Sequence, residues 1–137
     1  MQASLVLDDA IAETFNGLRM KRTHRFIIVA ISDDGTRASV ESSGERSATF
    51  ADFKAKMPTD RPRYAIFDLE FQTKDGRAES KLLFIMYSPD ACTKGPVRFL
   101  YAQNKDAIKA KMSPVHRELE INDPADLNEQ EFIESFQ

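Results

Sequence analysis

Two nearly continuous apolar stretches constrain this chain most: Arg25–Ile31 (RFIIVAI) and Lys81–Tyr87 (KLLFIMY). A strand open to water on one face alternates apolar and polar residues, and these do not. They read as strands covered on both faces. Tyr64–Phe71 adds a third strand, aromatic-rich and partly alternating. Phe67, Leu69 and Phe71 share one side, Asp68 and Glu70 the other. The expectation is an α/β domain, a mixed five-stranded sheet sandwiched by helices on both faces.

The remaining elements follow from spacing and turn chemistry. Residues 8–22 predict a helix from Ile11, Phe15 and Leu18 at i, i+4 and i+7, with Asp8 or Asp9 capping it. Asp33-Asp34-Gly35 turns the chain into a short strand near Arg37–Glu41. Thr49–Met57 predicts a helix through Phe50, Phe53 and Met57, with Pro58 just beyond its end. Thr73-Lys74-Asp75-Gly76 marks a hairpin, and Ser88-Pro89-Asp90 closes the last apolar run. A long helix is expected over 96–112 and a short strand over 115–121. A final helix starts at Asn128, with Glu131 completing a capping box and Phe132, Ile133 and Phe136 forming its apolar face.

At 137 residues the chain is one domain, expected to span 1–137 with a short flexible tail over about 1–6. It holds one cysteine, Cys92, which excludes an internal disulfide framework and fits a reducing compartment. No apolar run of about 18 residues is present, so a membrane-embedded chain is not expected. The opening residues lack the basic flank of a secretory signal, and the expected location is cytoplasmic. The net charge of −3 is too balanced to argue for nucleic acid. Its distribution is uneven. Lys94–Arg117 carries six bases (Lys94, Arg98, Lys105, Lys109, Lys111, Arg117) and one acid, Asp106. Glu118–Gln137 carries seven acids and no base. The pattern reads either as solvated surface or as a basic face for an acidic partner, with the acidic tail kept away from it.

A search for catalytic chemistry comes back without a constellation. His24 and His116 stand outside any metal-ligand spacing, so no metal site and no cofactor are expected. Cys92 has no nucleophile signature around it and reads as a buried or loop thiol. Asp68 and Glu70 are two apart on one strand face. They could pair for acid–base work, but the reading preferred is of solvent-facing charges. Phosphate-cradling and nucleophile-elbow glycine motifs are absent from the sequence. A binding protein, not an enzyme, is the leading class.

The long helix is the candidate contact element. At 100° per residue, Val97, Tyr101, Ile108 and Met112 fall within about 60° of one another and form the core stripe. Arg98, Lys105 and Lys109 border that stripe. Phe99 and Asp106 point away from it, at about 140° and 120° from Lys94. Phe99 is therefore either an exposed interface anchor or a ring packed under a neighbouring loop.

Three segments resemble motifs of the ADF/cofilin family, in the family's order: Tyr64–Phe71 (YAIFDLEF), Ser88-Pro89-Asp90, and Tyr101–Ile108 (YAQNKDAI). The resemblance covers essentially the whole chain. It implies an actin-depolymerising-factor homology domain, a gelsolin-like sheet between helices. The implied function is non-enzymatic: binding ADP-actin as monomer and filament, and promoting filament severing and depolymerisation as a cytoskeleton-associated monomer. By position, the shared monomer and filament surface would comprise Ser4, Leu5, Lys94, Arg98, Phe99, Lys105, Asp106 and Lys109. Ser4 would be a regulatory phosphorylation site, although Leu5 stands where the family usually has glycine. A filament-only site would include Lys81. Family members often bind phosphoinositides, so an acidic-lipid module on Lys94, Arg98, Lys105, Lys109 and Lys111 is the alternative reading.

The chain departs from the family pattern in its charges. Glu79 stands where a base is usual, and the last helix carries Glu129, Glu131 and Glu134 without Lys or Arg. Ala110 replaces one base of a pair, leaving Lys109. Acid at a site that normally offers positive charge implies weakened filament contacts.

Overall fold

The computed structural model describes residues 5–137. Its sheet has six strands in the order β1-β3-β2-β4-β5-β6: β1 Val6–Leu7, β2 His24–Ile31, β3 Arg37–Glu45, β4 Arg63–Gln72, β5 Ala78–Tyr87 and β6 Arg117–Ile121. The central pairs β2–β3, β2–β4 and β4–β5 are antiparallel, while β1 joins β3 and β6 joins β5 in parallel. The sixth strand, beyond the five expected, is β1. It lies in the stretch assigned to a flexible tail, because Leu5 and Leu7 pack against the core and hold Val6 at the sheet edge.

Strand parity creates two cores. Ile27, Val29, Tyr64, Ile66 and Phe84 face one way, beneath α1 (Asp9–Asn16), α3 (Gly95–Gln103) and α4 (Lys105–Lys111). Phe26, Ile28, Phe67, Leu69, Leu83 and Ile85 face the other, beneath α2 (Phe50–Lys56) and α5 (Glu129–Glu134). Both faces of β2, β4 and β5 are thus dry, as their apolar composition requires. Gly44 admits the Phe26 ring into the second core. A Cβ there would sit 2.1 Å from a ring carbon.

The helix ends report their sequences. Thr49 and Asp52 exchange side-chain-to-backbone bonds in a full capping box on α2. Asn128 Oδ1 accepts from the Glu131 N–H at 3.1 Å, but the expected box is incomplete. The Asn128 N–H donates to the Asp126 carbonyl instead, because a 3₁₀ turn at Pro124–Asp126 brings that oxygen within reach.

Two helices expected as single rods are broken. The first continues past Asn16 as a π turn, Gly17–Lys21, ended by Arg22 in the left-handed region at φ 54°. Gly17 lets Thr23 approach, since a Cβ would lie 2.9 Å from the Thr23 hydroxyl. The rod expected over 96–112 breaks at Asn104, with φ −101° and ψ 5°. The Asn104 amide donates to the Leu100 carbonyl at 2.9 Å, competing with the backbone N–H bonded to the same oxygen at 3.3 Å.

Asp68 corrects the expectation of a solvent-facing charge. It is 3% exposed and lies on the first core's face. Its Oδ2 accepts from Arg46 at 2.7 Å and lies 3.9 Å from Arg22, while Arg46 also binds Glu70. Arg25 Nε donates to the Asp68 carbonyl at 2.6 Å. Arg22 after the π turn and Arg46 after β3 face the carboxylate while Arg25 of β2 holds the carbonyl, which is why this charge can be buried.

Candidate functional site

The α3–α4 rod begins at the Tyr87 end of β5. Lys94 occupies the N-cap without a side-chain cap bond, and Pro96 fits the first turn, where its missing N–H is not needed. Tyr101 anchors the rod. Its hydroxyl accepts from the Ile31 N–H at 2.8 Å, and its carbonyl accepts from the buried Tyr64 hydroxyl. Tyr101, Ile108 and Met112 are buried and Val97 is half-buried, which orients the helix as its periodicity requires.

With that face inward, Phe99 points outward and is 68% exposed. A lone exposed phenylalanine on an anchored helix is a ready apolar anchor for a partner. Val6, 51% exposed, is the second exposed apolar residue near the N-terminus and was not singled out from the sequence. The alternation Leu5-Val6-Leu7, inward-outward-inward, was the signal available. Leu5 itself is half-buried against the first core. Ser4 lies outside the described residues.

The basic border of the rod is held by the protein's own groups. Arg98 Nε donates to Ser88 Oγ at 3.1 Å, and its Nη2 lies 3.3 Å from the Ser88 carbonyl and 3.4 Å from Asp90. Lys105 and Lys109 each lie 2.7 Å from one oxygen of Glu118, on β6. Hydrogen bonding from Lys105, then from Lys109, holds the Glu118 carboxyl below its usual pKa. The same bond holds the Lys105 ammonium above its usual value. The acidic segment is therefore not kept away from the basic one, as expected from charge blocks. Parallel pairing of β6 beside β5 brings Glu118 directly under α4. Lys94, Lys111 and Asp106 are exposed, and Asp106 sits in the first turn of α4, where the helix dipole favours an acid.

The residues expected to form a filament-only site lie elsewhere. Lys81 is half-buried on β5 and lies 3.6 Å from Glu79, which is also 3.9 Å from Arg77. Glu131 and Glu134 are exposed on α5, and Glu129 is half-buried. Phe132 holds this helix on the second core.

Beside the start of α3 lies a cleft of about 660 Å³, lined by Cys92, Lys94, Leu100 and Tyr101 among others. Four of its charged lining residues are paired. Arg63 binds Glu41 through two 2.9 Å bonds, and Arg61 lies 3.1 Å from Asp33. Cys92 is a buried free thiol. His116 uses Nδ1 to accept from the Leu82 N–H at 2.8 Å. None of the described helices is long and apolar enough to cross a membrane.

Comparison with known proteins agrees with this geometry. The profile of the family described as cofilin/tropomyosin-type actin-binding protein matches residues 4–137. Actin-depolymerizing factor 8 of Arabidopsis thaliana is 34% identical over 122 residues, covering 89% of this chain and 86% of its own. Actophorin of Acanthamoeba castellanii is 35% identical over 131 residues, covering 94% and 91%. The crystal structure of Streptomyces griseoflavus cofilin superposes with a TM-score of 0.87 at 26% identity, covering 96% of both chains. The profile match over nearly the whole chain and the identity to these relatives over most of their length lead to one conclusion: this chain belongs to the ADF/cofilin family of actin-binding proteins.

Proposed function

We propose that this chain binds actin through the exposed side of α3–α4 and the neighbouring β1 edge, and promotes filament depolymerisation without catalysing covalent chemistry. The observation that carries the reading is Phe99, 68% exposed on a helix locked to β2 and β4 by Tyr101. Its ring supplies the apolar anchor, and Lys94 at the start of the same helix is exposed. ADP-loaded subunits are the favoured target and severing an accompanying activity. A phosphate on Ser4 would add about −1.5 to −2 charges next to β1 and weaken the contact.

Filament binding is expected to be the weaker of the two activities. Glu79 masks Lys81, and α5 offers Glu129, Glu131 and Glu134 where a basic surface would favour an acidic partner. An acidic-lipid module on the same rod is less well supported, because Arg98, Lys105 and Lys109 are engaged by Ser88, Asp90 and Glu118.

The test is a monomer titration beside filament cosedimentation. Phe99→Ala should weaken monomer binding by tenfold or more, on the order of a hot-spot truncation, with an unchanged melting temperature. Glu79→Lys should strengthen filament binding and leave monomer binding as it was. Full affinity in Phe99→Ala, or tight saturating decoration of filaments by the parent, contradicts the reading.

A further inference from the structure

The sheet ends at β6, and the outer edge of that strand is open. β6 pairs with β5 alone. Every second residue of an edge strand turns its N–H and C=O away from the single neighbour. Among the described residues, no side chain and no loop or helix backbone accepts from an N–H of Arg117–Ile121. The sheet's other edge strand, β1, has only two residues. β6 is therefore the longer of the two edges that a further strand could join.

The two faces of β6 are chemically sorted. Phe84 and Met86, the register partners of Glu118 and Glu120, belong to the first core. Leu83, Ile85 and Tyr87, the partners of Arg117, Leu119 and Ile121, belong to the second. Acids thus lie on the α4 side, and Leu119 and Ile121 on the α5 side. Arg117 is held on the α5 side, with its guanidinium 3.8 Å from the Phe136 ring centroid and a hydrogen bond to Ser135. Lys105 and Lys109 occupy Glu118. Glu120 is exposed and forms no ion pair among the described residues. No base follows Arg117 in the sequence, so Asp123 and Asp126 extend the acidic character beyond the strand.

These features specify the occupant. Unpaired main-chain groups call for an extended segment, whose backbone supplies the bonds and whose alternate side chains supply selectivity. Glu120 calls for a base on one side of that segment. Leu119, half-buried at the rim of the second core, calls for an apolar residue on the other. A second copy of this chain does not fit. Antiparallel pairing about Leu119 sets Glu118 against Glu120, and like charges directly opposite repel.

We propose that the outer edge of β6 binds an extended peptide segment of alternating basic and apolar residues, which joins the sheet as an added strand. Its bases lie on the α4 side beside Glu120, and its apolar residues on the α5 side beside Leu119. Phe99 takes no part in this contact, and the proposal stands apart from the actin reading.

The experiment titrates the isotope-labelled full chain with a short peptide alternating lysine and valine, followed by amide resonances and hydrogen exchange. Binding should saturate below about 1 mM, and the outward-facing amides of β6 should exchange about tenfold more slowly at saturation. A peptide alternating glutamate and valine should not bind. Glu120→Lys should weaken binding about fivefold, while Glu45→Lys, the same charge change on exposed β3 across the sheet, should leave it within about twofold. N-methylation separates strand addition from charge attraction without altering the protein. Methylating the peptide's lysine nitrogens or its valine nitrogens along the backbone should abolish binding for one set and spare it for the other, because only one set faces β6. The proposal is overturned if the lysine peptide does not bind at about 1 mM or if the acidic peptide binds as well. It is equally overturned if the two methylated peptides bind alike, if β6 amides gain no protection, or if Glu45→Lys loses as much affinity as Glu120→Lys.

Discussion

Glu118 holds Lys105 at 2.7 Å and, through its other oxygen, Lys109 at the same distance. One carboxylate on β6 thereby neutralises much of the positive border of α4. An acidic partner reaching these lysines must displace Glu118 or share them with it. The pairs are partly exposed, so each contributes little to stability, at most about 1 kcal/mol.

Glu118→Gln removes that internal competitor and leaves the strand's shape. Actin-monomer affinity should rise several-fold, on the order of 3–10, and its salt dependence should steepen. A titration at two ionic strengths checks both. Weaker binding in this variant would mean that Glu118 positions the lysines rather than screening them.

Asp68→Ala strips the shared partner from Arg46 and Arg22 and leaves their charges facing each other. Breaking a buried pair from one side should lower stability by roughly 3 kcal/mol, read as a shift in the urea midpoint. Adding Arg46→Ala should recover part of the loss, because the two sites share one network. An Asp68→Ala protein as stable as the parent would show that the arginines re-solvate freely.

All three tyrosines are buried and have raised pKa values. Burial is the largest cause at Tyr64, Tyr87 and Tyr101 alike. A phenol held neutral in the native state ionises more easily once unfolded. The stability it contributes is complete below the ordinary phenol pKa of about 10 and falls as pH rises beyond it. Tyrosinate absorbance should therefore appear in one step with the loss of circular dichroism. A tyrosine titrating near pH 10 in folded protein would contradict this.

Much of the fold was legible from the residues alone. Apolar runs at Arg25–Ile31 and Lys81–Tyr87 demanded cover on both sheet faces, and both cores are present. Helical phase separated Tyr101 and Ile108 from Phe99, and the break at Asn104 did not change which way Phe99 points. Phe67, Leu69 and Phe71 of β4 share one face, as parity required, and all three lie in the second core.

The charged residues behaved differently. Asp68 had the right parity for an exposed acid, yet three arginines from other elements bury it. Glu118 belonged to a segment expected to stand apart from the lysines, and the β5–β6 register places it among them. Periodicity records how each element turns its side chains toward or away from a core, since that depends on neighbours three or four residues away. An ion pair depends on which distant element lies alongside, and only the packed sheet and helices decide that.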